Sequence, residues 1–160
     1  MHDSAYRART IGTLVLLAIQ FSAGMFLNLF VVLPTTHPGS TGDEYFSRSF
    51  TSLMWALSLG GGVPLFIHAL LGSFIAVIAI AVFVMSLAQR ARGWRWVWGL
   101  TALFTFGAFF NGMSFVDYGE DFSSAIMAGL WLGAVISLVS GLVADGARRV
   151  RGAQAGGSTA

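Results

Sequence analysis

Four long apolar stretches dominate the chain, and short polar segments separate them. Each stretch holds about 20 residues or slightly more, which is enough for an α-helix to cross a hydrocarbon core about 30 Å thick. The pattern therefore predicts an all-α membrane protein, a bundle of four transmembrane helices. The four predicted spans are residues 11–33, 64–87, 97–116 and 123–143.

The basic residues are distributed unevenly around these stretches. Only Arg48 lies in the loops that follow the first and third stretches, whereas the other flanks hold Arg7, Arg9, Arg90, Arg92, Arg95, Arg148, Arg149 and Arg151. Because basic flanks stay in the cytoplasm during insertion, both termini are predicted to be cytoplasmic. The predicted organisation is a cytoplasmic N-terminus (1–10), a membrane domain (11–145) and a cytoplasmic, disordered tail (146–160).

The composition supports a membrane protein and excludes several other classes. Charged residues make up 10% of the chain, against about 25% in soluble domains. The absence of cysteine excludes disulfides, cysteine-ligated metals and thiol catalysis. Insertion topology explains the arginines, so the predicted partner is the lipid bilayer and not nucleic acid. An Ala-, Gly- and Arg-rich chain without lysine indicates a bacterial cell membrane protein.

A shorter amphipathic segment lies in the first outer loop. Within residues 44–59, apolar residues recur at spacings of three and four. This pattern predicts a short interfacial helix or a re-entrant piece that is too short to span the membrane. The glycines at 60–62 end the segment, and Pro64 suits the first turn of the next helix.

The sequence also contains an internal repeat. The motif Phe-x-x-Gly-x-Phe-x-Asn occurs at 21–28 and again at 104–111, and a Leu-Gly step follows each copy, at 71–72 and 132–133. A repeated pair of helices predicts two halves related by a pseudo-twofold axis along the membrane normal. Chance agreement is the alternative, because Phe and Gly are abundant in this chain.

Polar side chains occur at one depth inside the predicted spans. Asn28 and Asn111 lie near the outer ends of the first and third spans, and His68 lies one turn into the second. At about 1.5 Å per residue, all three are roughly 6–8 Å below the outer interface. Met127 has a similar depth in the fourth span. We therefore predict a binding site of His68, Asn28, Asn111 and Met127, with His68 as a metal ligand if the site holds haem.

Each of these residues also has a structural interpretation, and the sequence leaves both open. Membrane asparagines often only form interhelical hydrogen bonds, which contribute about 0.6–2 kcal/mol. Ionisable residues in spans usually mark a site, yet His68 can also be a hydrogen-bonded structural residue. The mouth of the site is predicted to carry His37, Asp117, Glu120 and Asp121. The structural alternatives are a turn residue for His37 and a solvated loop for the three acidic residues.

Several short strings within roughly residues 10–145 are specific enough to compare with known families. They include His37-Pro38-Gly39, His68…Leu71-Gly72 and Asn111-Gly112-x-Ser114-Phe115 followed by Glu120-Asp121-Phe122-Ser123-Ser124. In these strings the chain resembles a family of small four-span integral membrane proteins of actinobacteria. That resemblance implies the four-span fold and brings no assigned activity.

The string His68…Leu71-Gly72 also resembles one four-helix half of haem A synthase. That family places a histidine near a Leu-Gly step in its second helix and another histidine in its fourth. Aligning Gly133 with Gly72 puts Gly129 at the place of the second histidine. A haem here would therefore need Met127 or His37 as its second ligand, since His/Met ligation exists.

The chemistry of the chain favours binding over catalysis. We find no nucleophile–base pair and no glycine-rich phosphate cradle after a strand. The leading hypothesis is a non-enzymatic membrane protein that binds a small hydrophobic ligand or cofactor, haem or quinone, in the outer half of the bundle. The alternative is a structural or assembly subunit of a larger membrane complex. Transport is a third hypothesis, and it would require a homo-oligomer.

Overall fold

The computed structural model describes residues 2–41, 44–118 and 121–157, and within them it contains five α-helices and no strand. Four of the helices are long and apolar enough to cross a membrane. This confirms the prediction of an all-α bundle with four spans. The helices are α1 (His2–Phe30), α2 (Tyr45–Leu57), α3 (Gly62–Ala88), α4 (Arg92–Tyr118) and α5 (Asp121–Gly157).

The terminal helices extend beyond the predicted spans. α1 begins at His2 and therefore includes most of the predicted N-terminal segment. α5 continues to Gly157, so the tail predicted to be disordered is helical up to that residue. The prediction for residues 158–160 falls outside the described residues. The apolar pattern marks where lipid begins and ends, whereas a helix can continue past that limit because its hydrogen bonds are internal.

One end of the bundle, which we call the arginine end, carries Arg7, Arg9, Arg90, Arg92, Arg95, Arg148, Arg149 and Arg151. Here Tyr6 is fully buried, stacks on Trp94 with ring centroids 5.8 Å apart, and donates a hydrogen bond to Gln89 Oε1 at 2.9 Å. Trp98, one turn after Trp94, is also fully buried, whereas Trp96 on the opposite face is 68% exposed. The first residues of α1 are therefore part of the packed bundle.

The short helix α2 lies at the other end of the bundle, which we call the α2 end. Glu44 caps its first turn, and its carboxylate accepts hydrogen bonds from the backbone amides of Phe46 and Ser47. The helix buries Ser52 and Ala56 and exposes Phe50 on its other face. Its 13 residues cover about 20 Å, which is too short for a span. The predicted short amphipathic helix is confirmed.

The α1–α3 pair is built on reciprocal glycine contacts. A β-carbon at Gly24 would lie 2.9 Å from Cε1 of His68, and one at Gly72 would lie 2.9 Å from Nε2 of Gln20. Gly24 on α1 thus makes room for His68, which lies one turn before Gly72 on α3. In the same way, Gly72 makes room for Gln20, which lies one turn before Gly24 on α1. Small residues at such contacts allow membrane helices to approach closely.

The α4–α5 pair repeats this arrangement with apolar side chains. A β-carbon at Gly107 would lie 3.3 Å from Cδ1 of Leu130, and one at Gly133 would lie 3.1 Å from Cδ1 of Phe104. Here too, each large residue stands about one turn before the glycine of its own helix. The two helix pairs therefore both pack through reciprocal glycine contacts. The contacting residues are not equivalent in the repeated motif, because Phe104 corresponds to Phe21 and not to Gln20, so the pseudo-twofold relation stays a prediction.

Candidate ligand-binding cavity

The α2 end of the bundle contains a cavity of about 520 Å³. This volume lies within the roughly 300–1,000 Å³ that small-molecule sites occupy. Apolar side chains such as Leu17, Phe109 and Trp131 form most of its lining. A smaller number of polar side chains also line the cavity, among them Gln20, Asn28, His37, His68, Thr105, Asp117 and Ser124.

Aromatic contacts between α1 and α5 form the floor of the cavity. The indole Nε1 of Trp131 donates a hydrogen bond to the Leu17 carbonyl at 2.9 Å. The Trp131 ring also stacks on Phe21, with centroids 4.6 Å apart. Because the acceptor is a backbone carbonyl of α1, this hydrogen bond joins α5 directly to the α1 backbone at the depth where the packed core begins.

A pair of polar side chains, Gln20 and His68, lies just above this floor. The amide Nε2 of Gln20 is 3.2 Å from His68 Nε2 and 3.2 Å from the His68 carbonyl oxygen. The carbonyl can only accept, so the amide must point its nitrogen towards His68. His68 Nε2 is then the acceptor of the second bond, and the proton of the neutral imidazole lies on Nδ1.

This arrangement leaves two buried polar atoms without a partner among the described residues. They are the donor His68 Nδ1 and the acceptor Gln20 Oε1, and both side chains line the cavity. Leaving a buried polar atom unpaired costs about 1–3 kcal/mol, so such atoms in a folded protein require an explanation. A ligand would need an acceptor for His68 Nδ1 and a donor for Gln20 Oε1 to pair with both atoms.

A buried ion pair lies at the α2 end of the cavity. Arg48 on α2 approaches Asp117 Oδ1 to 3.1 Å, and its guanidinium lies 4.4 Å from the centroid of the Tyr118 ring. Asp117 is 5% exposed and belongs to α4. The interpretation of Asp117 as part of a solvated loop is therefore wrong, because α4 extends through this residue and pairs it with Arg48. Its second oxygen, Oδ2, is buried without a partner among the described residues.

His37 connects the loop after α1 to α4. Its Nδ1 lies 2.9 Å from the carbonyl oxygen of Pro38, and its Nε2 lies 2.9 Å from that of Val116. The ring also stacks on Trp55, with centroids 4.4 Å apart. Both nitrogens face backbone acceptors, so His37 would have to break one of these contacts to bind a metal. Its position supports the structural interpretation.

Three of the four predicted site residues line the cavity, namely His68, Asn28 and Met127. Asn111 is half-buried and is not among the lining residues. The two asparagines therefore do not meet in one polar cluster, although they occupy the same place in the repeated motif. Glu120 and the side chain of Asp121, predicted at the mouth, fall outside the described residues.

Two residues outside the four predicted ligand contacts also contribute to the cavity, namely Gln20 and Asp117, of which Asp117 was predicted at the mouth alone. Gln20, Gly24 and Asn28 recur at intervals of four residues and therefore share one face of α1. This spacing indicates that Gln20 faces the same side of the helix as the predicted site residue Asn28. Asp117 became part of the site through Arg48, which is the sole basic residue in the predicted outer loops.

The site has no sign of a multi-ligand metal centre in the part of the chain that the structure describes: no three His, Cys, Asp or Glu side chains come together there. Comparisons with protein-family models, curated proteins and solved structures find no match. The resemblances to the actinobacterial family and to haem A synthase therefore stay predictions.

Proposed function

We propose that this protein binds a small apolar molecule with a polar head in the cavity at the α2 end. One observation carries the proposal. A largely apolar cavity of about 520 Å³ contains a buried donor, His68 Nδ1, and a buried acceptor, Gln20 Oε1, that have no partner among the described residues. A mostly apolar pocket with a few convergent polar groups is the usual form of a small-molecule site.

The donor and acceptor favour a quinone-type head over haem. The Nδ1 proton of His68 can be donated to a ring carbonyl, and Gln20 Oε1 can accept a proton from the hydroxyl of the reduced form. Haem would instead need a nitrogen or sulfur free to bind iron. His68 Nε2 accepts from Gln20 and Nδ1 carries the proton, so neither nitrogen has a free lone pair for iron in this tautomer. The Met127 sulfur packs beside Gly112, where a β-carbon would lie 3.2 Å from it.

The proposed location is the bacterial cell membrane, with the arginine end in the cytoplasm. Eight arginines lie at that end, and Arg48, the exception at the other end, is paired with Asp117. This supports cytoplasmic termini under the positive-inside rule. Because the chain has no cysteine, single cysteines at positions 36 and 92 can be labelled with an impermeant maleimide. In intact cells, we expect labelling at 36, and labelling at 92 would reverse the orientation.

The binding proposal can be tested with the purified protein and an alkyl-substituted benzoquinone. Quinones quench indole fluorescence, and Trp131 lines the cavity, so quenching reports binding. We expect His68→Leu to weaken binding of the quinone about tenfold, the effect of losing one well-made hydrogen bond. Gln20 Oε1 can pair only with the hydroxyl of the reduced form, so Gln20→Leu should weaken binding of the hydroquinone by a similar factor. Asn111→Leu is the matched control, because Asn111 does not line the cavity, and it should leave binding unchanged.

Other results of the same purification would support other functions. A Soret band in the visible spectrum that His68→Ala abolishes would replace the quinone with haem. A colourless protein that binds no quinone and co-purifies with a stoichiometric partner would support the alternative, an assembly or structural subunit. Equal loss of binding in Asn111→Leu and His68→Leu would remove the Gln20–His68 pair from the site.

A further inference from the structure

The cavity has an open side between α1 and α5. On α1, Phe21 and Met25 line the cavity and are nevertheless 41% and 42% exposed. Asn28 on α1 and Ala128 on α5 also line the cavity and are exposed. These four residues border an opening that we call the α1–α5 slot.

The wall opposite the slot is closed. The cavity-lining residues Leu65 and Ile75 on α3 and Thr105 on α4 are all buried. Within α3 and α4, which the structure describes along their whole length, the one exposed lining residue is Tyr118, at the last position of α4. Apart from the rim at the α2 end, the cavity therefore opens sideways towards α1 and α5.

The slot has a definite lower limit and length. The Trp131–Leu17 hydrogen bond and the Trp131–Phe21 stack join α1 and α5 below it. From Phe21 to Asn28 it extends about 10 Å along α1, at about 1.5 Å per residue. Both helices that border it are long and apolar enough to span a membrane. The slot therefore faces lipid chains rather than water.

We propose that the ligand carries a hydrocarbon chain and occupies this slot. Its carbonyl-bearing ring lies at Gln20 and His68, and its chain leaves between α1 and α5 into the bilayer. A chain that leaves through the slot stays among apolar groups, whereas the rim at the α2 end would bring it against Arg48 and Asp117. This inference rests on the proposed function and adds the class of ligand, an alkylated or prenylated ring compound dissolved in the membrane.

The test compares substitutions at two adjacent residues of α5. Ala128→Phe places a ring in the slot, whereas Gly129→Phe is the control, because Gly129 is exposed and a β-carbon there would meet no atom within 4 Å. The probes are a decyl-substituted benzoquinone and the same benzoquinone without the chain, titrated by tryptophan quenching in lipid nanodiscs. Met25→Phe, on the α1 edge, repeats the test without adding a fluorescent indole in case Ala128→Phe folds poorly.

We expect Ala128→Phe and Met25→Phe to weaken binding of the decyl probe at least about tenfold, because the added ring occupies the path of the chain, and the benzoquinone ring of this probe cannot reach Gln20 and His68 without a steric clash of its chain. The chainless probe should change less than about threefold in the same variants, and Gly129→Phe should change neither. Equal effects of Ala128→Phe and Gly129→Phe would overturn the slot, and so would equal weakening of both probes. In either case, binding of the probes by the wild type would still support the proposed function. If the wild type binds neither probe, the proposed function fails as well.

Discussion

The two ends of this bundle are made from the same long helices, yet one is filled and the other is hollow. At the arginine end, the buried rings of Tyr6, Trp94 and Trp98 occupy the space between helices. At the α2 end, Gly24 and Gly72 face a polar pair, and a cavity of about 520 Å³ remains. The difference shows that helix length creates the bundle, whereas side-chain volume decides where it closes.

The hollow end is also the less favourable end in energetic terms. Membrane helices associate mainly through van der Waals contacts, and an empty volume loses these contacts. Unpaired buried polar atoms occur at both ends among the described residues. Trp98 Nε1 and Thr10 Oγ1 lie at the arginine end, whereas His68 Nδ1, Gln20 Oε1 and Asp117 Oδ2 lie at the α2 end and belong to residues that line the cavity. Proteins tend to break packing and pairing rules at functional sites, and this contrast is what the proposed ligand explains.

The largest change in the free energy of unfolding should come from removing a buried ring at the arginine end. We expect Trp98→Ala to lower the free energy of unfolding by about 3–5 kcal/mol, because it removes a fully buried ring and leaves a cavity. Unfolding in mixed micelles with increasing dodecyl sulfate measures this change. Trp96→Ala, at a 68% exposed ring, should cost less than about 0.5 kcal/mol. Similar losses in both variants would contradict the assignment of the core to the arginine end.

A smaller effect should separate the ion pairs of the two ends. We expect Asp117→Asn to cost about 2–3 kcal/mol, less than the loss for a fully buried pair, because Arg48 retains partial exposure. The matched substitution Asp145→Asn breaks the Arg149–Asp145 pair at the arginine end, in which the Arg149 side chain is 48% exposed, and should cost about 0.5–1 kcal/mol. The same unfolding assay measures both. Equal costs would mean that Asp117 is effectively solvated and does not close the cavity.

The sharpest comparison uses one substitution at two places on α4. Ala102→Leu enlarges a buried residue of the packed core and should cost about 1–3 kcal/mol by overpacking. Ala108→Leu enlarges a residue that lines the cavity and should stabilise the protein by about 0.5–2 kcal/mol by filling space. Ala108→Leu should also weaken quinone binding, as quenching titration measures. Destabilisation by both substitutions would indicate that the α2 end has no spare volume.

Much of the fold could be predicted from the chain because the membrane imposes a length and a hydropathy on each span. The four spans and the short helix α2 follow from runs of apolar residues, and the depth of His68 follows from its position in such a run. The N-terminal residues were harder to place, because Tyr6 lies among charged neighbours and its burial depends on Trp94 of another helix.

The candidate site was only partly predictable for the same reason. Position along a helix gives depth, but the face that a residue presents to its neighbours depends on how each helix is rotated and packed. Asn28 and Asn111 occupy the same place in a repeated motif, yet Asn28 lines the cavity and Asn111 does not. The motif is local, whereas the cavity is bounded by all the spans together.

The sequence by itself determined the class of protein, the number of spans and the uneven distribution of arginine, because each depends on residue type counted along one chain. Only the tertiary structure brought Gln20 to His68 and Arg48 to Asp117, pairs that lie 48 and 69 residues apart. Such pairs arise where two helices pack at a particular rotation and offset, and hydrophobicity along either helix does not encode those two quantities.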